Sequence, residues 1–315
     1  MNGEIASIVS DIKAIKIQGA TNVALATVNC MQLWIQQYEE VKYKDKKSFI
    51  NELKEFGLEI ANARPNEPLA KNLVKFVTYE LVVRFSTATS FSQVVDASEE
   101  LFSEYKDMIQ GTKKDIVKYG IETLKDCNEI LTHCHSSTAV GVLVGVKGTR
   151  NGDLTVISTE TRPLFQGRIT SRNLIDQGVK TTMIVDSAAP SFIIQEKYIP
   201  IDALIIGVDQ INADGSAINK VGSMGLALAC SASGKPIYVV GPLLKIDVST
   251  VYSPIEIELR SAKEIWDDAP EGLKLINPAF EVIPPELITG YITEFGVVAP
   301  KDVYQKAVYE YSWII

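Results

Sequence analysis

The first part of the chain carries apolar residues at helical spacing. In two segments they recur every three or four positions: Ala24, Val28, Met31, Ile35 and Tyr38, then Val74, Val77, Leu81 and Phe85. A third amphipathic run extends from Ser92 to about Lys125. We therefore predict a helical N-terminal domain over residues 1–125, built as an antiparallel bundle or cap.

The pattern changes after Asp126, where short β-rich runs alternate with turns and helical segments. The predicted strands are Glu129–His133, Leu154–Ser158, Thr181–Val185, Ala203–Gly207 and Pro236–Val240. Alternation of this kind indicates βαβ units and a parallel sheet covered by helices on both faces. The predicted fold class is thus α/β, with residues 126–315 forming a Rossmann-like, doubly wound catalytic domain.

Chemically active side chains follow the first four predicted strands. They are Cys134, His135, Glu160, Arg162, Asp186, Ser187 and Asp209. In an open parallel sheet, ligands bind beyond the carboxyl ends of the strands. Any one of these residues could be a helix cap or an ion-pair partner, and we predict that Ser136 and Ser187 cap the helices that follow. Their coincidence at one edge nevertheless favours a functional site.

Composition limits the classes of function. The 315 residues suggest about two domains, and 46% hydrophobic with 22% charged residues is the balance of a globular protein. The formal net charge of −8 disfavours a nucleic-acid partner. No apolar stretch approaches the roughly 18 residues of a membrane span, so we predict no membrane role.

The cysteines indicate a reducing compartment. Cys30, Cys127, Cys134 and Cys230 form neither a CxxC pair nor the framework of a small disulfide-rich domain. We expect a cytoplasmic protein, and we predict neither a metal nor a cofactor.

Cys134 is the first candidate for chemistry, because it ends a strand and precedes a helix. The helix dipole and a nearby imidazole would lower the pKa of its thiol and make it a better base. A buried, inert cysteine is the alternative. A zinc site built from His133, Cys134 and His135 is disfavoured, because alternating residues of a strand point to opposite faces.

Asp209 is the second candidate, because it follows an apolar strand and would project into a crevice as a general acid. We predict that the segment 218–223 begins a helix, and that Asn219, Lys220 and the exposed helix-start amides form an anion site. Asp214 and Gly215 make a simple turn. Walker spacing and a GxGxxG motif are absent, which disfavours nucleotide binding. A thiol with a carboxylate suits proton relocation on a carbon acid, as in sugar isomerisation.

Five strings of the second half resemble the initiation factor 2B-related family. They are ILTHCHSS (130–137), TETRPLFQGRIT (159–170), VDSAA (185–189), GVDQINADGSAINKVGS (207–223) and NPAFEVIPPELI (277–288). The resemblance implies catalysis by Cys134 and Asp209. It also implies substrate contacts from Gly19, Ala20, Arg64, Ser136, Ser137, Asn219 and Lys220. Gln166 and Gly167 would shape the same pocket.

The resemblance also implies a substrate and an assembly. The strings THCHSS, TETRP and NPAFEVIPP look closest to ribose-1,5-bisphosphate isomerases, which implies a small phosphorylated sugar as the partner. The alternatives are a methylthioribose-1-phosphate isomerase and a non-catalytic regulatory subunit. One departure is Gln18, which stands where the isomerases carry an arginine that would bind phosphate. A homo-oligomer, dimer or hexamer, is expected.

Overall fold

A computed structural model describes residues 3–149, 154–196 and 198–315. The chain divides into two compact units. The first comprises the residues up to Gly111 together with Leu244–Val248 and Ala307–Ile315, and the second comprises Thr112–Leu243 and Ser249–Lys306. The predicted border at 125/126 lies just beyond the end of a long helix, whereas the division into units falls inside that helix.

Helices and strands follow one another in the order that the sequence pattern indicates. The α-helices are α1 (Gly3–Lys13), α2 (Ala20–Gln36), α3 (Lys46–Ala61), α4 (Pro68–Val83), α5 (Phe91–Thr123), α6 (Ser137–Gly148), α7 (Gln166–Asp176), α8 (Ala189–Gln195), α9 (Ser223–Ala232) and α10 (Val303–Glu310). The strands are β1 (Glu129–His133), β2 (Thr155–Thr159), β3 (Lys180–Ile184), β4 (Ala203–Gly207), β5 (Gln210–Asn212), β6 (Ala217–Lys220), β7 (Ile237–Val240), β8 (Ile246–Asp247), β9 (Phe280–Ile283), β10 (Gly290–Thr293) and β11 (Gly296–Val298).

The first unit is helical, as the spacing predicts. The Asp45 side chain accepts a hydrogen bond from the Ser48 amide and so starts α3. Pro68 occupies the first turn of α4, where its missing N–H costs nothing. The apolar stripes of these helices form a core that includes Val28, Met31, Phe49, Leu53, Leu73 and Val77. Removing these side chains from water stabilises the bundle by about 25 cal/mol per Å² of apolar surface.

The larger sheet belongs to the second unit and has the order β11-β10-β7-β4-β1-β2-β3. All neighbours pair in parallel except β10 and β11. The chain runs outward from β1 through β2 to β3 and then returns to β4 on the other side of β1. A topological switch point therefore lies between β1 and β4, where ligands bind in doubly wound sheets.

The predicted strands are found within one residue of their expected bounds. β1 and β4 coincide with the prediction, and each is buried along almost its whole length. The antiparallel strands β5, β6 and β9 were not predicted. The prediction that the segment 218–223 begins a helix was wrong, since Ala217–Lys220 pairs with β9 and α9 begins only at Ser223.

Ser187 does not cap a helix, contrary to the prediction. It lies inside a 3₁₀ turn, Asp186–Ala188, and α8 starts directly after that turn with no side-chain cap. Asp214 and Gly215 do form the predicted turn: the Gly215 amide donates to the Asn212 carbonyl, and the φ of Gly215 is 86°. Among the residues described here, no helix combines the length and the apolar character needed to cross a membrane.

Candidate active site

Cys134 and Asp209 meet at the switch point. Cys134 directly follows β1, and Asp209 lies two residues beyond β4, the parallel neighbour of β1. His133 stands opposite Ile206 in this pair, so the two strand ends are level and about 4.8 Å apart. The negative charge of Asp209 acts on the Cys134 thiol. The structure thus places both predicted catalytic residues just beyond the carboxyl ends of neighbouring strands, close enough for their charges to interact.

The backbone of Cys134 has a left-handed conformation, with φ 66°. Non-glycine residues rarely adopt it, because Cβ crowds the carbonyl oxygen, and the cost is of order 1–3 kcal/mol. Two threonines hold this conformation. The Cys134 amide donates to Thr161 Oγ1 at 3.0 Å, and Thr170 Oγ1 donates to the Cys134 carbonyl at 2.8 Å. The left-handed backbone of Cys134 is therefore held from both sides of the residue.

The Cys134 thiol is a weaker acid than the sequence predicts. Cys134 remains partly exposed, yet burial of the sulfur raises the pKa of the thiol to about 12. The nearby charges of Asp209 and Asp186 raise this pKa further, while Lys220 and the His135 amide lower it. The expected lowering was wrong because the loss of water outweighs the helix start. In the resting site the proton stays on sulfur.

The two imidazoles beside the thiol are engaged elsewhere. His133 Nδ1 lies 2.6 Å from Thr159 Oγ1, and His133 Nε2 lies 2.9 Å from the Val221 carbonyl oxygen. His135 Nδ1 lies 2.9 Å from Thr170 Oγ1. Burial lowers the pKa of both histidines, which keeps them neutral around pH 7. Neither histidine therefore carries a positive charge that could lower the pKa of the thiol.

The start of α6 lies next to the thiol. The Ser136 side chain accepts a hydrogen bond from the Ala139 amide at 3.2 Å, which confirms the predicted cap. Ser137 is the first residue of the helix and is exposed. Gly207, at the end of β4, allows this close approach, because a Cβ there would lie 2.6 Å from the Ser136 Cβ. Both predicted serine contacts thus lie beside Cys134.

The start of α9 is not the exposed anion site that the sequence predicts. The Glu281 carboxylate accepts from the Gly222 amide at 2.7 Å and from the Met224 amide at 2.6 Å. Burial raises the pKa of Glu281, and these amide bonds oppose that rise. Asn219 is 3% exposed and donates to Ser223 Oγ at 3.0 Å. The amides that were expected to bind an external anion therefore already donate to the Glu281 carboxylate.

Lys220 is the cation that this turn contributes. Its Nζ lies 4.6 Å from the centre of the Phe280 ring, and its charge lowers the pKa of the Cys134 thiol. Within the predicted anion site at β6 and α9, the Lys220 side chain therefore provides a positive charge near Cys134.

The loop after β2 forms another side of the site. Asp186 accepts from the Thr161 amide at 2.8 Å and from the Arg162 amide at 2.7 Å. Gln166 begins α7, and Gly167 follows it. A Cβ on Gly167 would lie 1.8 Å from the Thr159 carbonyl oxygen, so only glycine fits. Gly167 thus allows the start of α7 to approach the end of β2.

Several residues of the site were missed or left without a role by the sequence analysis. Thr159, Thr161 and Thr170 hold the backbone of Cys134 or the ring of His133, and Glu281 caps α9. The three threonines all lie in the string TETRPLFQGRIT, which was a signal for them. Nothing near Glu281 in the sequence points to a helix start 57 residues away. In the described part of the chain, no three His, Cys, Asp or Glu side chains are grouped to hold a metal ion.

The sequence model of the Initiation factor 2 subunit family matches residues 16–300. The chain belongs to this family. It is 31% identical over 306 residues to the ribose 1,5-bisphosphate isomerase of Methanocaldococcus jannaschii, which covers 96% of this chain and 94% of that protein. It is 32% identical over 308 residues to the methylthioribose-1-phosphate isomerase of Desulforamulus reducens, covering 92% of this chain and 85% of that protein.

A solved structure agrees with these relatives. The 5-methylthioribose 1-phosphate isomerase of Pyrococcus horikoshii matches 97% of this chain and 88% of its own, with a TM-score of 0.73 and 26% identity. The predicted fold class, a helical region followed by a mostly parallel sheet, is confirmed. The predicted enzyme class, sugar-phosphate isomerase, is confirmed as well.

Three of the substrate contacts implied by resemblance to the Initiation factor 2 subunit family lie in the helical unit. Gly19 precedes α2 with φ 85°, and Ala20 is the buried first residue of that helix. Arg64 is buried and forms an ion pair with Glu67 at 2.9 Å. Gln18 is exposed. The contacts of Gly19, Ala20 and Arg64 with a substrate stay predictions.

Proposed function

We propose that the chain converts α-ribose 1,5-bisphosphate to ribulose 1,5-bisphosphate, with Cys134 and Asp209 as the catalytic pair. The observation that carries this proposal is the meeting of a thiol and a carboxylate at the switch point of the sheet. The isomerase relatives, each similar over more than nine tenths of this chain, support it.

The chemistry requires two proton relocations. A phosphate on C1 prevents the ring from opening spontaneously, because no free anomeric hydroxyl is present. The enzyme must therefore protonate the ring oxygen as the bond from C1 to that oxygen breaks. It must also move the proton of C2 to C1. One group that handles the carbon acid and another that handles oxygen can divide this work.

The raised pKa of Cys134 sets the first step. Since the resting proton lies on sulfur, Asp209 first accepts it, which gives a thiolate and a neutral carboxylic acid. The thiolate then removes the C2 proton, and the electron pair forms a double bond between C1 and C2. The bond between C1 and the ring oxygen breaks, and Asp209 protonates that oxygen. The product of this half is an open-chain enol.

The second half returns both groups to their starting state. Asp209 accepts the proton of the C2 hydroxyl as the carbonyl forms at C2. The Cys134 thiol gives its proton to C1, which completes the ketose. The proton on Asp209 then passes back to the sulfur. Over the cycle each group gains and loses one proton with substrate, and no oxidant, reductant or metal is needed.

The phosphates require positive partners near this pair. Ser136 and Ser137 stand at the start of α6, where amides and the helix dipole favour an anion. Lys220 adds a full charge within reach of Cys134. We propose that one phosphate binds between the start of α6 and the Lys220 ammonium group.

Methylthioribose 1-phosphate is the second candidate substrate. It is supported by the similarity to a methylthioribose-1-phosphate isomerase at 32% identity. Gln18, which stands where both kinds of isomerase are expected to carry an arginine, favours the regulatory alternative instead. Parallel assays of purified protein on the two sugars separate the candidates. Turnover of the methylthio sugar alone would replace the proposed substrate, and turnover of neither would favour the regulatory alternative.

The catalytic pair is tested by Cys134→Ser and Asp209→Asn. Each change should lower kcat by about 10²–10⁴-fold, the usual contribution of a general acid or base. Cys127→Ser and Asp176→Asn serve as matched controls and should keep kcat within about twofold. Circular dichroism checks that all four variants are folded. Near-normal turnover by either Cys134→Ser or Asp209→Asn would refute the mechanism.

A further inference from the structure

We propose that His133 is a positioning residue for this reaction: its neutral imidazole ties the backbone of Cys134 to the turn that carries Lys220 through one continuous chain of hydrogen bonds. The proposal rests on the proposed function for its catalytic consequence. The chain of bonds itself is a feature of the fold and can be tested separately.

The chain runs through two threonines. The Cys134 amide donates to Thr161 Oγ1 at 3.0 Å, and Thr161 Oγ1 lies 3.2 Å from Thr159 Oγ1. Thr159 Oγ1 lies 2.6 Å from His133 Nδ1, and His133 Nε2 lies 2.9 Å from the Val221 carbonyl oxygen. These contacts link the end of β1, the end of β2 and the turn after β6.

One assignment of hydrogens satisfies the whole chain. The Val221 carbonyl only accepts, so His133 Nε2 carries the hydrogen and Nδ1 accepts from the Thr159 hydroxyl. Thr159 oxygen is then free to accept from the Thr161 hydroxyl, whose own oxygen accepts the Cys134 amide. A protonated imidazole would also donate to Thr159 Oγ1, and one of the two threonine hydroxyl hydrogens would then have no acceptor within this chain of bonds. The arrangement therefore favours a neutral histidine, in agreement with burial, which lowers the pKa of His133.

The imidazole is enclosed on the side of the turn. His133 is 2% exposed. Gly222 has φ 109°, and a Cβ there would lie 2.9 Å from His133 Cε1 and 3.0 Å from Nε2. The ring thus packs directly on the backbone of the turn, and Val221, which it binds, is the neighbour of Lys220. Any shift of the ring moves this turn.

The two ends of the chain serve different parts of the proposed reaction. At one end, the left-handed conformation of Cys134 aims the sulfur, and the bond to Thr161 opposes its relaxation. At the other end, the bond to Val221 fixes the residue next to Lys220. Damage at the first end should lower kcat, and damage at the second end should raise KM.

Conservative variants separate the two ends. His133→Asn places an amide oxygen near the position of Nδ1, keeps the Thr159 bond and loses the Val221 bond. We expect KM to rise about tenfold with kcat within about threefold. His133→Gln reaches the position of Nε2, keeps the Val221 bond and loses the Thr159 bond. We expect kcat to fall about tenfold with KM nearly unchanged. Equal effects of both variants on kcat and KM would overturn the assignment of the two ends.

A labelling experiment needs no substrate. In the full chain carrying Thr159→Val, iodoacetamide should alkylate Cys134 at least about fivefold faster, while buried Cys230 in α9 reacts as in the wild type. Thr159→Ser keeps the hydroxyl and should restore the slow rate. Mass spectrometry of the two cysteine peptides gives both rates.

The labelling outcomes separate the positioning role from the proposed function. Faster labelling of Cys134 alone supports the chain of bonds, even if the wild type isomerises neither sugar. Faster labelling of Cys134 and Cys230 together would mean general loosening and would overturn the proposal. Unchanged labelling and unchanged kcat in Thr159→Val would overturn it as well.

Discussion

Two turns of the sheet unit lead into helices whose starts differ in charge. The turn from β1 to α6 ends at Ser136, whose neutral hydroxyl group accepts a hydrogen bond from one backbone amide. The turn from β6 to α9 ends at Gly222, where the Glu281 carboxylate accepts hydrogen bonds from two backbone amides. The sequence pattern predicts an anion site at the second turn. A helix start attracts an anion only when the chain has not already placed one there.

This difference assigns separate tasks to the two turns. The start of α6 keeps its partial positive charge beside Cys134, and we propose that it binds phosphate through amides and serine hydroxyls. Glu281 offsets the partial positive charge at the start of α9, and we propose that the turn before this helix contributes to phosphate binding only through the Lys220 side chain. Three substitutions test this division, in order of decreasing effect.

Lys220→Met should have the largest effect of the three. Removing a charge-assisted contact to phosphate costs about 1.5–3 kcal/mol, which corresponds to a rise in KM of about 10–150-fold. Lys180→Met changes an exposed lysine at the opposite end of the sheet and should leave KM unchanged. Steady-state kinetics on the substrate that the wild type turns over gives both values. An unchanged KM in Lys220→Met would indicate that main-chain amides, and not Lys220, bind the phosphate.

Ser136→Ala should lower the stability of α6. Loss of an N-terminal cap costs about 1 kcal/mol of unfolding free energy, which urea titration followed by circular dichroism measures. Ser137→Ala removes an exposed hydroxyl that is not the cap and should stay within about 0.5 kcal/mol of the wild type. Equal losses in the two variants would show that Ser136 has no special role in starting the helix.

Glu281→Gln should have the smallest effect on substrate binding, with KM changing less than about twofold. A marked fall in KM would show that the substrate phosphate and the Glu281 carboxylate compete for the α9 amides. The proposed difference between the two helix starts would then be wrong. Glutamine keeps one acceptor for those amides and removes the charge.

The same variant tests the pKa of Glu281. Burial raises this pKa in the folded chain, so the folded state holds the proton more tightly than the unfolded state. The stabilising contribution is fully present below the unfolded pKa and is lost as pH rises through the folded pKa. The stability of the wild type relative to Glu281→Gln should therefore fall as the pH rises above about 4.3, the ordinary pKa of a glutamate side chain. Urea titrations across that range measure the difference.

The sequence predicts the parallel sheet well because its central strands are buried on both faces. Such strands must be continuous apolar runs, and Ala203–Gly207 is recognisable for that reason. β6 was mistaken for a helix start because its four residues, Ala217–Lys220, are too few to show whether apolar positions recur at strand or at helix spacing. Short antiparallel strands depend on partners that are distant in the chain, such as Phe280–Ile283 for β6.

The sequence predicted that Cys134 and Asp209 lie at the same edge of the sheet, but it did not predict the electrostatics of the candidate site. Cys134 and Asp209 could be placed together because strand order brings successive carboxyl ends to one edge. The pKa of the thiol depends on how much protein surrounds the sulfur, and no local sequence pattern gives that. The capping of α9 by Glu281 could not be predicted either, because Glu281 lies in a strand far along the chain from the start of that helix.

The burial of the Cys134 sulfur also bears on how the protein survives oxidants. Peroxide converts thiolates to sulfenic acid, whereas a neutral thiol reacts slowly. Because burial and two neighbouring carboxylates hold the proton on this sulfur, the thiol that we propose as catalytic is sheltered while the enzyme waits for substrate. In the proposed cycle, its exposure to oxidative damage is confined to the short intervals when the sulfur is a thiolate and Asp209 carries the proton.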